Sequence, residues 1–433
     1  MEENLSAGEA FRIAFDSHCA GNLEQAEAIY RTILEADPVQ PDSLHYLGIL
    51  LYQRDGSEQA LDMIRQSIDL LPDQPDWHND LGNLLAARGE LQQAVDSFER
   101  AIALKPQDAM LWNNLGAILQ RGELASEAEL AFRRAIEIAP GFADALNNLG
   151  NLLSAQGRDL EAAEYYCRAY VLESIRDKPK SMLGIAYYKL GRYEEAAEVY
   201  RQWLLEEPDN PVAAHFYAAC SGNDIPARCS EAYVEKTFDE FAARFDEHLQ
   251  GLSYRGPEMM EQVLNPLIAK GSRLDILDAG CGTGLCGTVL APYASHLTGI
   301  DLSEEMLERA QQRGIYHKLE KTDLTRYLQE HPGSFDMVAA ADTLNYFGDL
   351  NPVFAAAHSA LRKGGLLAFT IEHETERDGE FRLNPHGRYS HGQNYLAAAL
   401  QANGLDILEM IPGIVRIEFG KPVYGLAVAA RKG

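Results

Sequence analysis

The sequence predicts a multidomain chain of two kinds: an all-α repeat array followed by an α/β domain with a mostly parallel sheet. Three observations predict this. Small and apolar residues recur every 34 positions through the first 210 residues. Beyond them the period stops, and strand-length apolar runs alternate with helix-length segments. Residues 274–284, Leu-Asp-Ile-Leu-Asp-Ala-Gly-Cys-Gly-Thr-Gly, then read as a buried strand running into a glycine-rich turn before a helix.

In the first part, Gly48, Gly82, Gly116, Gly150 and Gly184 keep one register. Ala26, Ala60, Ala94, Ala128, Ala162 and Ala196 keep another, and Pro38, Pro72, Pro106 and Pro140 a third, with Ser174 in the proline slot once before Pro208 resumes it. Leu47, Leu81, Leu115, Leu149 and Leu183 fill the positions between, as do Tyr30, Ile64, Phe98, Phe132, Tyr166 and Tyr200. Each unit reads as two antiparallel helices. The small residues let them approach, the large ones fill the gap to the next unit, and proline stops the second helix. This pattern resembles the tetratricopeptide repeat, in six units over residues 7–210, with a capping helix and linker over 211–230. Such arrays hold protein partners or peptides on their concave face. Asn79, Asn113 and Asn147 recur at one position of the first helices, and Asn83 and Asn151 lie four residues on, on the same face. An asparagine offers both a donor and an acceptor, so these five are predicted to bind an extended peptide.

Bulk composition narrows the partners. Across 433 residues the net charge is −27, and residues 1–210 hold 18 Lys+Arg against 36 Asp+Glu. Nucleic acid and anionic membrane are disfavoured as general partners. No apolar run has a membrane-spanning length, and the six cysteines lack metal-ligand spacing. With an acidic start, Met-Glu-Glu-Asn, a cytoplasmic protein with free thiols and no metal is expected.

In the second part, residues 231–433, the segment Glu231–Leu252 is helical in pattern and rich in aromatics: Tyr233, Phe238, Phe241 and Phe245. Strands are predicted at 274–278, 296–301, 315–320, 335–340 and 365–371, with helices at 257–269, 285–292, 303–313, 351–362 and 392–403. Two closing strands, 405–411 and 422–430, form an antiparallel edge hairpin and bring the sheet to seven strands. Ligands of such sheets sit at the carboxyl ends of the strands. Asp278, Asp301, Asp323 and Asp342 all fall there. Asp301 suits a ribose diol, because its two oxygens accept from both hydroxyls, and Asp323 suits an adenine amino group. Four carboxylates around one pocket would repel a phosphate-rich cofactor and accept a sulfonium, an ammonium and a diol.

These motifs, with Gly299-Ile-Asp-Leu-Ser303 and Phe335-Asp-Met-Val-Ala-Ala-Ala-Asp-Thr-Leu344, resemble the Rossmann-like class I S-adenosylmethionine-dependent methyltransferases, and more narrowly those that carry tetratricopeptide repeats. Phe241–Leu249, Leu252–Pro257, Gly387–His391 and Pro422–Leu426 match that narrower group. The resemblance implies S-adenosylmethionine held by Tyr254, Arg255, Asp278, Gly280, Gly282, Thr283, Gly284, Asp301, Leu302, Asp323, Leu324 and Asp342. It also implies that the aromatic helix and Tyr254-Arg255 close over the cofactor. Gly282, Gly284 and Gly287 also spell a dinucleotide fingerprint. Asp278 before the turn, Asp323 and the antiparallel finish favour the methyl donor instead.

The expected reaction is methyl transfer to an oxygen or nitrogen acceptor, with the array recruiting a protein partner or substrate. The alternative is an interaction scaffold whose methyltransferase fold is non-catalytic or senses cofactor. Candidates for a base or an acceptor-orienting group are Glu372, His373, His386, Arg388, Tyr389 and His391. His391, Tyr389 and Arg388 are the chosen set, and Tyr346 is placed beside the methyl-transfer channel.

Overall fold

The computed structural model describes residues 6–55, 58–172, 178–269, 271–376, 380–418 and 420–433. The chain divides into two compact units, Met1–Ile175 and Arg176–Gly433. The sixth repeat and the helix after it therefore group with the α/β domain, upstream of the boundary that the repeat period suggests.

In the first unit the helices alternate in pairs: Ala7–Cys19 with Leu23–Ala36, Pro41–Asp55 with Glu58–Leu70, Pro75–Arg88 with Leu91–Leu104, Ala109–Arg121 with Ala125–Ile138, and Ala143–Ala155 with Asp159–Leu172. The 34-residue registers explain their packing. A Cβ on Gly116 would stand 2.7 Å from the Phe132 ring, and one on Gly82 2.9 Å from Phe98. Phe98, Phe132, Ala94 and Ala128 are fully buried. Each slot proline follows its second helix by two residues, and Ser174 lies outside the described residues.

Two of the five asparagines bond between repeats within the array. Asn79 Oδ1 accepts from Asn114 Nδ2 at 2.9 Å, and Asn113 Oδ1 accepts from Asn148 Nδ2 at 3.0 Å. His45 and Asp80 make the equivalent rung at 3.1 Å. Asn79 and Asn113 thus tie one repeat to the next, and Asn113 is buried. A buried amide is stable only when bonded, so these rungs belong to the stack. Asn151 is exposed and accepts from Tyr166 at 2.9 Å, Asn83 is exposed, and Asn147 is half-buried.

The second unit opens with the helix pair Lys180–Lys189 and Tyr193–Glu206, then the helix Pro211–Ser221. Asn210 caps the last of these by accepting from the N–H groups of Val212 and Ala213. The α/β sheet follows: β1 (Leu274–Ala279), β2 (Ala294–Asp301), β3 (Lys318–Lys321), β4 (Phe335–Ala340), β5 (Leu361–His373), β6 (Phe381–Leu383), β7 (Tyr389–His391), β8 (Leu405–Glu418) and β9 (Lys421–Lys432). Pairing runs β3-β2-β1-β4-β5 in parallel, with β9 antiparallel to both β5 and β8. Ile276 and Leu277 point to opposite faces and are both fully buried, so β1 is central.

Nine strands are described where seven were expected. The additions are β6 and β7, three residues each, too short to show a period. Glu372 pairs with Gly425 of β9 and also with Ser390 of β7. So β7 lies on the β4 side of β5, beyond Ala340. That places the turn at 384–388 above the carboxyl end of the sheet. Three other differences are local. The helix Leu324–Glu330 was missed; Asp323 caps it through the Arg326 N–H at 2.9 Å. β3 starts later than predicted. β8 continues through Pro412 because it is an edge strand, where proline leaves no ladder bond unmade.

Candidate functional site

The glycine turn after β1 takes backbone that side chains resist. Gly280, Gly282 and Gly284 have φ of 75°, 52° and 83°. A Cβ on Gly280 would also lie 2.3 Å from Thr343. Asp301, the last residue of β2, braces the turn: its Oδ2 accepts from the Gly282 N–H and its Oδ1 from the Ser303 N–H, each at 2.9 Å. Burial raises its pKa, and those two N–H groups oppose the rise.

A cavity of about 350 Å³ opens over the turn. Of the predicted residues, Tyr254, Gly280, Gly282, Thr283, Asp301, Leu302, Asp323, Leu324, Asp342, Tyr346 and Arg388 line it. Its cover is the aromatic segment, made of Glu231–Phe241 and Phe245–Gly251, with Phe238, Phe241 and Phe245 facing inward. Several polar contacts hold that cover down, two of them from hydroxyls. Ser303 Oγ donates to Asp239 at 2.5 Å, and Thr283 Oγ1 donates to Asp246 at 2.5 Å.

Five predicted residues stand elsewhere. Arg255 is exposed and bonds Glu258 at 2.8 Å, so only Tyr254 of that pair faces the cavity. Gly284 packs against Tyr316 and Arg313 behind the turn. Asp278 is under the turn, 1% exposed. Its Oδ2 accepts from Tyr316 Oη at 2.6 Å, while its Oδ1 is buried with no partner among the described residues. Burial, aided by the charge of Asp301 and opposed by Tyr316, pushes its pKa up to about 7. No sequence signal marked Tyr316, which lies 38 residues away.

The proposed base is also displaced. His391 is fully buried on β7; its Nε2 donates to the Gly348 carbonyl at 3.0 Å, and burial lowers its pKa to about 4. Tyr389, two residues earlier on the same face, donates its hydroxyl to the Pro226 carbonyl at 2.6 Å. Side chains alternate along a strand, and these two point into packed protein. The turn before β7 carries the cavity-facing groups, His386 and Arg388.

Arg388 donates to Glu372 at 2.6 Å and to Glu418 at 2.5 Å. Arg416, 2% exposed, donates to Glu418 at 2.7 Å and Asp342 at 3.1 Å, and pairs with Glu372. His386 Nε2 lies 3.4 Å from Glu372 Oε2. Burial would raise the Glu372 pKa, yet Arg388, Arg416 and His386 hold it down at about 2. Burial lowers His386 to about 4 against the pull of Glu372, leaving a neutral imidazole at pH 7. Arg416 and Glu418 escaped the sequence reading because they sit on β8, over 70 residues from Asp342. Asp342 has φ 57°, a strained value for a non-glycine, and burial raises its pKa against Arg416.

Of the four carboxylates expected around the pocket, three line it, and two of those are paired: Asp342 to Arg416, and Asp323 to Arg228 at 3.0 Å. Among the described residues no group of His, Cys, Asp and Glu suits a metal ion.

A methyltransferase-domain model matches residues 276–365, and tetratricopeptide-repeat models match 82–122, 131–165 and 180–210. The chain is 31% identical over 148 residues to a probable S-adenosylmethionine-dependent methyltransferase of Saccharomyces cerevisiae, covering 32% of this chain and 50% of that protein. It is 30% identical over 155 residues to the ubiquinone biosynthesis O-methyltransferase of Xylella fastidiosa, covering 32% and 60%. It thus spans between half and two thirds of these relatives' length. A solved S-adenosylmethionine-dependent methyltransferase from Mesorhizobium loti is 25% identical, with a TM-score of 0.32 over 39% of this chain and 96% of that one. With the glycine turn, the braced Asp301 and the parallel sheet in place, the chain carries a methyltransferase domain and tetratricopeptide repeats on the same polypeptide.

Proposed function

We propose that this protein transfers a methyl group from S-adenosylmethionine to an oxygen or nitrogen acceptor lying against His386 and Arg388. The observation that carries the reading is the Asp301–Gly282 brace at the cavity floor. Each Asp301 oxygen accepts one N–H, so lone pairs remain for a diol. Nothing stands within 4 Å of where a Gly282 Cβ would be, which leaves backbone open to a ligand. Asp301, Leu302, Leu324, Asp323 and the turn 280–283 would hold the cofactor. When bound, it supplies a methyl group already activated on a sulfonium.

The chain's own part is alignment, water exclusion and proton removal. Phe238, Phe241, Phe245 and Tyr346 give the cavity apolar walls. His386, neutral and lining the cavity, takes the place proposed for His391 and accepts the acceptor's proton. Glu372 beside it stabilises the imidazolium that results. Arg388 is held by two carboxylates and orients the acceptor through hydrogen bonding. The repeat array recruits a protein partner or substrate; Asn83, Asn147 and Asn151, which make no rung between repeats, would be the asparagines to meet it. The six free thiols accord with a reducing, cytoplasmic setting.

Isothermal titration with S-adenosylmethionine tests the cofactor site. The wild-type chain should bind, and Asp301→Ala should weaken binding about 100-fold, the scale of two charge-assisted hydrogen bonds. An absence of heat with the wild type, or an Asp301→Ala variant of equal affinity, would refute it.

A further inference from the structure

The helix Pro211–Ser221 stands where a repeat array is expected to end in a cap with a polar outer face. This one buries Ala213, His215, Ala218 and Ala219 instead. His215 Nε2 donates to the Gly387 carbonyl at 2.8 Å, bridging 172 residues of sequence. The same ring stacks on Tyr233 with centroids 3.9 Å apart. Phe216, next along the helix, stacks on Tyr200 of the sixth repeat at 5.4 Å and lines the cavity.

Gly387 has φ 88°, and a Cβ there would lie 3.0 Å from Tyr233 Oη and 3.3 Å from both His215 Nε2 and Phe216. The turn is therefore moulded against this helix. Gly387 separates His386 from Arg388, the two cavity-facing groups of the turn. Its flanking strands, β6 and β7, share only three residue pairs. β7 is also tied to β5 at Glu372 and His373, and the Arg388 side chain to Glu372 and Glu418, but neither fixes the backbone at the tip of so short a ribbon. His215 adds a hydrogen bond to the Gly387 carbonyl at that tip from outside the ribbon.

We infer that the helix after the sixth repeat is a fixed wall of the acceptor end of the cavity, with His215 a positioning residue that clamps Gly387 and so sets where His386 and Arg388 stand. Only the word acceptor rests on the methyl-transfer reading; the clamp does not. The array's last repeat is by this inference part of the catalytic body, joined through Tyr200, Phe216 and His215 to the turn that faces the substrate.

Amide hydrogen exchange on the full chain, followed over residues 384–391, tests the clamp. His215→Ala should speed exchange at 384–388 about fivefold or more, the loss of one buried hydrogen bond. Affinity for S-adenosylhomocysteine, used as the probe of the opposite end, should stay within about twofold. His215→Gln, which keeps an N–H donor at similar reach, should restore most of the protection. Unchanged exchange in His215→Ala would overturn the inference. So would equal loosening in His215→Gln, or a fall in probe affinity with faster exchange throughout the sheet. If the wild-type chain fails to bind S-adenosylhomocysteine, the methyl-donor reading fails while the exchange comparison still decides the clamp.

Discussion

Asp278 shows how far one residue can be read from its neighbours in sequence. Its place before the glycine turn was legible, and the acid was expected in the pocket. The structure buries it below the turn, bonded to Tyr316, with one oxygen unpartnered among the described residues. Its folded pKa of about 7 exceeds the ordinary 3.8. The folded state therefore keeps a proton that the unfolded chain loses first. That contribution to stability is complete below about pH 4 and is lost as pH rises through about 7. Asp278→Asn, which cannot ionise, should lose less stability between about pH 5 and pH 8 than the wild type. Thermal unfolding without ligand measures it, and parallel curves for the two proteins would contradict the buried-carboxyl account. Asp301 and Asp342 shift in the same direction, so the comparison with the variant isolates Asp278. His391 carries the opposite lesson: a histidine in a recognisable motif faced inward, because strand alternation on β7 was invisible in three residues.

At the scale of elements, period was the reliable signal. The 34-residue registers located the repeat helices because each marker slot has a steric job that only small or only large residues perform. Gly116→Ala should destabilise the array by about 1–3 kcal/mol, since its Cβ would meet the Phe132 ring at 2.7 Å. Urea unfolding followed by helical circular dichroism checks this. Phe132→Leu in the same chain should recover part of the loss, and no recovery would assign it elsewhere. Where period was short, elements were lost. β6, β7 and the helix Leu324–Glu330 each have too few residues to display one. The strand expected at 405–411 runs on through Pro412, which the edge position of β8 makes harmless.

For the whole molecule, the division into Met1–Ile175 and Arg176–Gly433 bears on ligand response. A ligand stabilises the body that binds it by mass action. Saturating S-adenosylhomocysteine should raise the unfolding temperature of the second unit by several degrees and leave the first unit's transition in place. Differential scanning calorimetry with segment-resolved exchange reports both, and an equal shift of the two would show that they unfold as one.

The sequence by itself determined the repeat array, the βα alternation, the glycine turn and the acid that ends β2. All rest on local rules: helical period, strand period, and glycine's freedom at positive φ. Only the tertiary structure decided which side chains share the cavity and which brace them. Arg388, Arg416 and Glu418 meet there from the 384–388 turn and β8, with Glu372 of β5 behind them. His215 reaches Gly387 from the end of the repeats. Such contacts depend on strand order and on which way each chain segment returns to the sheet. Spacing along the sequence carries no information about either, because burial and charge pairing act between whatever groups the fold makes adjacent.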